Sequence, residues 1–305
     1  MNGKISLVLL TMFVLIFSGF FYFNHTFSNI SEDKFYSQKF DLSKKKILVY
    51  GSSHFVQLNS THIKEKIENN SNNYLFFNMA ENGDTPKRRS LNVENDLGID
   101  PKIVVYGIGF RDFNIQKNDK LSSEMKLTDI IPWDTTELET LNPKLTTLEV
   151  LRAIVIDIIT KDKESNVPYP NTSVFSQRIQ EPISNENELQ NSNPSGKISI
   201  SIDKNEQVEY FKSIIKKLEE NDVKVIIIST PYHKIALEEI SEKDKKNFHS
   251  ILLNIENEFD VKVVDLTEKF SELEIWRDTS HVAYNEKSII FSESIAEIII
   301  EEIIE

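Results

Sequence analysis

The 305-residue chain contains no cysteine, which excludes a disulfide framework, a thiolate metal site and a cysteine nucleophile. Positive charge is also scarce, since 35 Lys and Arg stand against 48 Asp and Glu and give a formal net charge of -13. Nucleic-acid binding depends on Lys and Arg that displace counterions from phosphates, so no nucleic-acid partner is expected. A hydrophobic share of 39% is ordinary globular composition and is sufficient for a buried core.

Long hydrophobic runs are limited to one, at the N-terminus. Residues 5–23 carry no charge and would span roughly 28 Å as an α-helix, which matches the hydrocarbon core of a bilayer. A cleavable signal peptide has a shorter apolar stretch and a small-residue cleavage site, whereas here Gly19 is followed by four aromatic residues. The sequence therefore favours an uncleaved signal anchor over residues 1–23, with a cleaved signal as the alternative. Lys4 before the span and acidic residues after it predict a single-pass membrane protein with an extracytoplasmic body.

The rest of the chain divides into a stalk and a folded domain. Residues 24–44 are polar and predict the stalk, and residues 45–305 predict the domain. In the domain, short β-rich apolar runs alternate with stretches of helical periodicity; the runs are 46–50, 74–78, 102–106, 223–229 and 261–264. The alternation predicts an α/β fold with a mainly parallel sheet of about five strands and helices on both faces. Residues 162–197 are rich in Asn, Ser and Pro and predict a flexible surface insertion.

The first predicted strand leads directly into a serine-containing turn. Parallel sheets place their ligand sites at the carboxyl ends of the strands, and this strand runs into Gly51, Ser52 and Ser53. A serine at such a turn is exposed at the rim of the sheet, and the following helix N-terminus favours developing negative charge. Ser53 is the candidate nucleophile. The alternative is that Ser52 or Ser53 only caps the helix, because serine is a preferred capping residue.

A serine nucleophile requires a base within hydrogen-bond reach and a group that orients the base. Among the six histidines, His281 is the one with a carboxylate arranged nearby, and His54 is expected to point away from Ser53 once the helix begins. Across one turn, Asp278 can approach the imidazole Nδ1 and fix its tautomer, while Nε2 faces the serine. The alternative is a surface Asp–His pair at the start of a helix.

Taken together, Gly51-Ser52-Ser53 early in the chain and Asp278-x-x-His281 late in the chain resemble the SGNH (GDSL-type) hydrolase superfamily. The resemblance implies that Ser53 is the nucleophile, with Ser52 standing where the name-giving pattern has Asp. It also implies that His281 is the base and that Asp278 orients it.

Two further blocks of the superfamily have counterparts here. The oxyanion-hole glycine expected after the second strand is matched by Asn82-Gly83, where a residue without a Cβ can present its backbone N–H closely. The third block, usually Gly-x-Asn-Asp, begins here at Gly109 and has Arg111 in place of Asn before Asp112. Arg111 is then a charged oxyanion donor, a ligand for an anionic substrate group, or a partner of Asp112.

His233 follows the fourth predicted strand and is a candidate substrate contact, with a simple loop role as the alternative. No metal or other cofactor is expected, because the histidines and acidic residues lack ligand spacing and the chemistry of the superfamily needs none.

The resemblance implies a serine esterase that works through an acyl-enzyme. A Gly-Ser-Ser turn behind an N-terminal anchor is similar to extracytoplasmic members that act on cell-envelope polymers, which suggests O-acyl groups of surface glycans as the substrate. Two alternatives stay open: an O-acyltransferase of the same fold, and a catalytically silent module for glycan binding or complex assembly.

Overall fold

The computed structural model of the chain describes residues 40–41, 43–115, 181–192 and 197–304. Its strands are β1 (Lys45–Tyr50), β2 (Tyr74–Asn78), β3 (Pro101–Ile108), β4 (Lys224–Ser229) and β5 (Val261–Asp265). They form one sheet in the order β2-β1-β3-β4-β5, and every neighbouring pair is parallel. The predicted parallel five-stranded sheet is confirmed.

The described helices alternate with the strands. They are α1 (Ser53–Val56), α2 (Ser60–Asn70), α3 (Pro86–Ser90), α4 (Val93–Leu97), α5 (Glu186–Asn191), α6 (Glu206–Glu219), α7 (Lys234–Glu239), α8 (Glu242–Glu258) and α9 (Ile289–Ile304), with a 3₁₀-helix at Phe110–Phe113. Polar side chains start several of them by accepting a hydrogen bond from a backbone N–H, as the preference for such residues at the N-cap predicts. These side chains belong to Asn59, Thr85, Asn205 and Ser241.

The sheet separates two hydrophobic clusters, because successive side chains of a strand point to opposite faces. On one face, Leu48 and Tyr106 pack with the apolar residues of α6 and α8. On the other face, Val49 and Val105 pack with those of α2 and α9. The helices therefore cover both faces, as the sequence predicts.

The strand order reverses direction between β1 and β3. From β1 the chain moves outward to β2, then crosses back to β3 on the other side of β1 and continues to β4 and β5. The loops after β1 and β3 thus leave the sheet in opposite directions, and ligands of open α/β sheets bind in the crevice this creates. The segments from Gly51 and from Gly109 both begin at this crevice.

Several predicted segments fall wholly or partly outside the described residues. The apolar span at residues 5–23 is one of them, and within the described part of the chain no helix is long and apolar enough to cross a bilayer. The described part of the 162–197 segment contains α5, whose Leu189 is buried in a hydrophobic cluster. The backbone N–H of Ile183 donates to the carbonyl of Trp276 at 2.8 Å, so this part of the segment packs beside the loop that carries the predicted base.

Candidate active site

The turn after β1 requires a glycine at its first position. Gly51 has a φ of +152°, and a Cβ there would lie 2.9 Å from the Cβ of Phe55 and 3.2 Å from the carbonyl oxygen of Gly107. The close approach to α1 and β3 thus admits no side chain. As a result, the chain turns sharply and places Ser53 as the first residue of α1.

The capping alternative does not describe this turn. Ser52 occupies the N-cap position of α1, yet its side chain makes no capping hydrogen bond and instead lies 3.2 Å from Nδ1 of His54. The hydroxyl of Ser53 faces His281 rather than the helix backbone. The structure therefore brings together the two groups on which the nucleophile hypothesis depends.

Three side chains form a continuous hydrogen-bonded line. Ser53 Oγ lies 2.7 Å from His281 Nε2 across a sequence separation of 228 residues. His281 Nδ1 lies 2.9 Å from each carboxylate oxygen of Asp278. Because an ionised carboxylate only accepts, Nδ1 carries the proton and Nε2 is left to accept the hydroxyl proton of the serine.

The loop around Asp278 holds its carboxylate in the ionised form. The Oδ1 atom accepts from the backbone N–H of Ser280 at 2.9 Å and from that of His281 at 2.8 Å. Burial works to raise the pKa of Asp278, but the hydrogen bond and charge of His281, the Ser280 N–H and the charge of Arg277 hold that pKa below its ordinary value. The side chains of Asp278 and His281 are only 13% and 12% exposed. The pair is therefore not the solvated surface pair that the sequence left open.

The loop itself is anchored on both sides of the pair. Trp276 and Val282 form an antiparallel bridge, and the backbone N–H of Arg277 donates to the carbonyl of His281 at 2.9 Å. The buried indole of Trp276 donates to the carbonyl of Phe270 at 3.2 Å. This tryptophan packs in the core and fixes the base of the loop.

His54 belongs to the site, contrary to the expectation that it points away. Its ring stacks on that of His281, with centroids 4.6 Å apart and an interplanar angle of 14°. Burial lowers the pKa of His54 well below the ordinary value, and the charge of His281 lowers it further. A neutral imidazole therefore packs flat against the predicted base.

Gly83 lies on the loop after β2, which is tied to the turn that carries Ser53. The backbone N–H of Glu81 donates to the carbonyl of Gly51 at 3.1 Å, which ties this loop to the end of β1. Gly83 is exposed and has a φ of +70°, and a Cβ there would meet nothing within 4 Å. The positive φ at this position favours glycine. The neighbouring Asn82 is also exposed on this loop.

The third block forms a tight 3₁₀ turn after β3. Asp112 is buried and its Oδ2 accepts from the backbone N–H of Gly109 at 2.7 Å. A Cβ on Gly109 would lie 2.5 Å from both Thr230 Oγ1 and Tyr232 Oη, so glycine is required here by packing. Arg111 is half-buried on this turn, and its charge is one of the causes that lower the pKa of His54. The guanidinium therefore contributes to the electrostatics of the site.

His233 shows the loop role that the sequence left as the alternative. Its Nδ1 accepts from the backbone N–H of Ile235 at 3.2 Å, which caps the start of α7. Its own backbone N–H donates to the carbonyl of Thr279 at 3.0 Å. Through these bonds His233 supports the loop that precedes His281.

A second group of serine, histidine and aspartate lies at the ends of β4 and β5, but its connectivity is different. Ser229 Oγ donates to Asp265 Oδ1 at 2.5 Å, and His249 Nδ1 lies 3.3 Å from Asp265 Oδ2. The carboxylate stands between the hydroxyl and the imidazole, so this arrangement does not place a base on the serine. Within the described ranges, no group of three or more His, Asp or Glu side chains could hold a metal ion.

A protein-family model matches residues 169–303, which are less than half of the chain. A comparison with curated proteins found no match to this chain. The chain is similar to a lipase/acylhydrolase from Enterococcus faecalis at 13% identity, over 85% of this chain and 95% of that chain, with a TM-score of 0.47. It is similar to a GDSL-like lipase from Bacteroides thetaiotaomicron at 11% identity, over 90% and 97%, with a TM-score of 0.46. It is also similar to a catalytic mutant of an acetylxylan esterase from Geobacillus stearothermophilus at 12% identity, over 84% and 94%, with a TM-score of 0.44.

Proposed function

We propose that this chain is a serine esterase of the SGNH type that works through an acyl-enzyme intermediate. The observation that carries the proposal is the hydrogen-bonded line from Ser53 through His281 to Asp278. A nucleophile, a base and a group that orients the base are the three parts that acyl transfer from an ester requires. A catalytically silent module has no need of a 2.7 Å contact between Ser53 Oγ and His281 Nε2, so this distance favours an enzyme.

The chemistry follows from the positions of the protons. Ser53 Oγ attacks the ester carbonyl while its proton moves to His281 Nε2, and Asp278 stabilises the imidazolium that results. The negative charge on the carbonyl oxygen is stabilised by the backbone N–H of Ser53, at the start of α1, and by that of Gly83. His281 then returns the proton to the leaving alkoxide, and an alcohol departs. Water, deprotonated by the same imidazole, then attacks the acyl-enzyme. The bond between the acyl carbon and Ser53 Oγ breaks, His281 returns the proton to Ser53, and the acid departs.

The substrate that we propose is an O-acyl group on an envelope glycan. The support is the uncharged run at residues 5–23, which predicts a membrane anchor and an extracytoplasmic domain. An O-acyltransferase would use the same first half-reaction and differ only in that a hydroxyl replaces water as the acceptor. Product analysis separates the two, because added acceptor glycan changes the product of a transferase from free acid to a new ester.

Covalent labelling tests the proposed function. We expect a fluorophosphonate probe to label the full chain in detergent, and we expect Ser53→Ala to abolish the label because the attacking oxygen is lost. The matched control is Ser52→Ala, which removes the neighbouring hydroxyl and leaves the line from Ser53 to Asp278 intact. Hydrolysis of short-chain aryl acetates should fall by roughly 10³-fold or more in His281→Ala. Equal labelling of wild type and Ser53→Ala would refute the proposal.

A further inference from the structure

A fully buried arginine lies beneath the loop that carries Gly83. Arg89 belongs to α3 and is 1% exposed. Its Nε donates to Asp84 Oδ2 at 2.8 Å, and its Nη2 lies 2.6 Å from the same oxygen. The Nη2 atom also donates to the carbonyl of Met79 at 2.7 Å. One guanidinium therefore joins the first and last residues of the segment from Met79 to Asp84.

The guanidinium is itself fixed to the elements around it. It lies over the ring of Tyr50, the last residue of β1, at 4.8 Å from the ring centroid. Its Nη1 is 3.7 Å from the buried carboxylate of Asp96 in α4. Burying a charge is unfavourable unless it is paired and hydrogen-bonded. Arg89 meets this condition only while Met79 and Asp84 keep their present positions, because these two residues supply its hydrogen-bond acceptors.

The same loop is connected to the nucleophile turn through its backbone. The N–H of Met79 donates to the carbonyl of Val49 at 2.8 Å, and the N–H of Glu81 donates to that of Gly51 at 3.1 Å. Between Glu81 and Asp84 the chain has only Asn82 and Gly83, both exposed. The position of the Gly83 N–H is therefore set by two backbone bonds on one side and by the anchor at Asp84 on the other.

We propose that Arg89 is a positioning residue whose guanidinium fixes the span of the Met79–Asp84 loop and so holds the backbone N–H of Gly83 where the oxyanion forms. The inference rests on the proposed function, because this N–H has a catalytic role only if Ser53 is acylated. Lysine does not replace arginine here, since a single ammonium lacks the planar fork that binds Asp84 and the Met79 carbonyl at once.

The expected signature is a loss of turnover without a loss of substrate affinity. Removing one oxyanion donor lowers turnover by about 10²–10³-fold. Displacing a donor should lower turnover by less than removing it. We therefore expect Arg89→Lys and Asp84→Ala in the full chain to lower kcat for aryl acetates by roughly 10–100-fold at unchanged KM. Asp84→Asn keeps an acceptor oxygen for the guanidinium, so it should retain most of the wild-type kcat.

A stability-matched control separates positioning from general weakening. Ile67 is buried in α2 on the other face of the sheet, and Ile67→Ala should lower Tm through the cavity that it creates while kcat below the transition stays at the wild-type value. If Arg89→Lys does not fold, Asp84→Ala carries the same test. A wild-type kcat in these loop variants, or a loss no greater than that of Ile67→Ala, would overturn the inference. An absence of probe labelling at Ser53 in the wild type would instead refute the proposed function, so the two failures are distinguishable.

Discussion

Two imidazoles lie face to face at the site, and their surroundings give them different properties. His281 has the Asp278 carboxylate on Nδ1 and the Ser53 hydroxyl on Nε2, which suits it to take up and return a proton. His54 is buried, its Nδ1 lies 3.2 Å from the Ser52 hydroxyl, and its pKa is well below the ordinary value because of desolvation. A charged ring stacked on His281 would oppose the imidazolium that the proposed reaction forms. The burial of His54 avoids that repulsion and leaves a flat packing surface for the base.

The role of the Asp278 carboxylate can be tested by its amide. In Asp278→Asn the NH₂ group would face His281 and donate to Nδ1, so the ring proton would move to Nε2, which could then no longer accept from Ser53. We expect the turnover of aryl acetates to fall by about 10⁴-fold with little change in Tm. Ser280→Ala is the matched control. It removes a hydroxyl that donates to the same carboxylate at 3.1 Å and should cost at most about tenfold, since one hydrogen bond contributes about 0.5–1.5 kcal/mol. Full activity in Asp278→Asn would show that the base needs no carboxylate.

The sequence predicts the proposed reacting groups better than the side chains that support them. Ser53, Asp278 and His281 were expected to lie together because a nucleophile needs a base and an orienting acid, and because strand ends share one edge of the sheet. The structure places them within hydrogen-bond distance of one another. The stacking of His54 on His281 depends on how two distant loops meet, and no local pattern carries that information. The capping role of His233 also follows from tertiary placement, because its side chain bonds the N–H of Ile235 in a helix that begins at the next residue.

At the level of elements, the sheet was predictable in number and direction of strands because its apolar runs are short and β-rich. The position of each strand in the sheet was not, since the order β2-β1-β3-β4-β5 depends on pairings between residues far apart in the chain. Arg89 illustrates the same limit. In the sequence it is one of several basic residues near Pro86. It becomes a buried residue that binds the Met79–Asp84 loop only because α3 packs against the end of β1.

The guanidinium of Arg89 lies between two buried carboxylates, Asp84 and Asp96. This arrangement makes the free energy of unfolding depend on pH. Burial raises the pKa of Asp84 to about 6, against the attraction of Arg89. The unfolded chain should titrate near the ordinary value of about 3.9. The folded state then binds this proton more tightly, so the contribution of Asp84 to the free energy of unfolding rises as the pH falls from about 6 towards 4.

Asp84→Asn provides the comparison, because the amide does not titrate. The free energy of unfolding of the wild type minus that of Asp84→Asn should increase by on the order of 2–3 kcal/mol between pH 7.5 and pH 4. Urea unfolding of both full-length proteins in mild detergent measures this difference. Carboxylates whose pKa is lowered, such as Asp278 and Asp265, lose their stabilising contribution only below about pH 5. They are present in both proteins, so this contribution cancels in the difference. A difference that stays constant or shrinks with acid would show that Asp84 remains ionised beside Arg89.

At the scale of the whole molecule, the length of chain between the predicted span and the domain limits how far the proposed site can lie from a membrane. Phe40 packs edge-on against Phe77 with ring centroids 5.4 Å apart, so the chain contacts the domain at this residue. Between Phe40 and the predicted span there remain residues 24–39, which reach at most about 55 Å when fully extended. An anchored domain would therefore meet substrates within a few tens of ångströms of the membrane surface, which fits a polymer of the cell envelope better than a freely diffusing ester.

The anchor can be tested in the full chain by placing charge at the centre of the span. Each arginine there opposes insertion by about 2.5–3.5 kcal/mol, whereas each Leu or Phe favours it by only about 0.3–0.6 kcal/mol. We expect the wild type to stay in the membrane fraction after an alkaline carbonate wash and the double variant Phe13→Arg, Leu15→Arg to leave it. Ser31→Arg, which adds a positive charge beyond the span, should remain membrane-bound.

In intact cells a membrane-impermeant fluorophosphonate should label the wild type at Ser53, since the domain is expected outside the cytoplasmic membrane. Wild-type protein that washes off with carbonate would indicate a cleaved signal, and label that appears only after cell lysis would place the domain in the cytoplasm and remove the support for a glycan substrate.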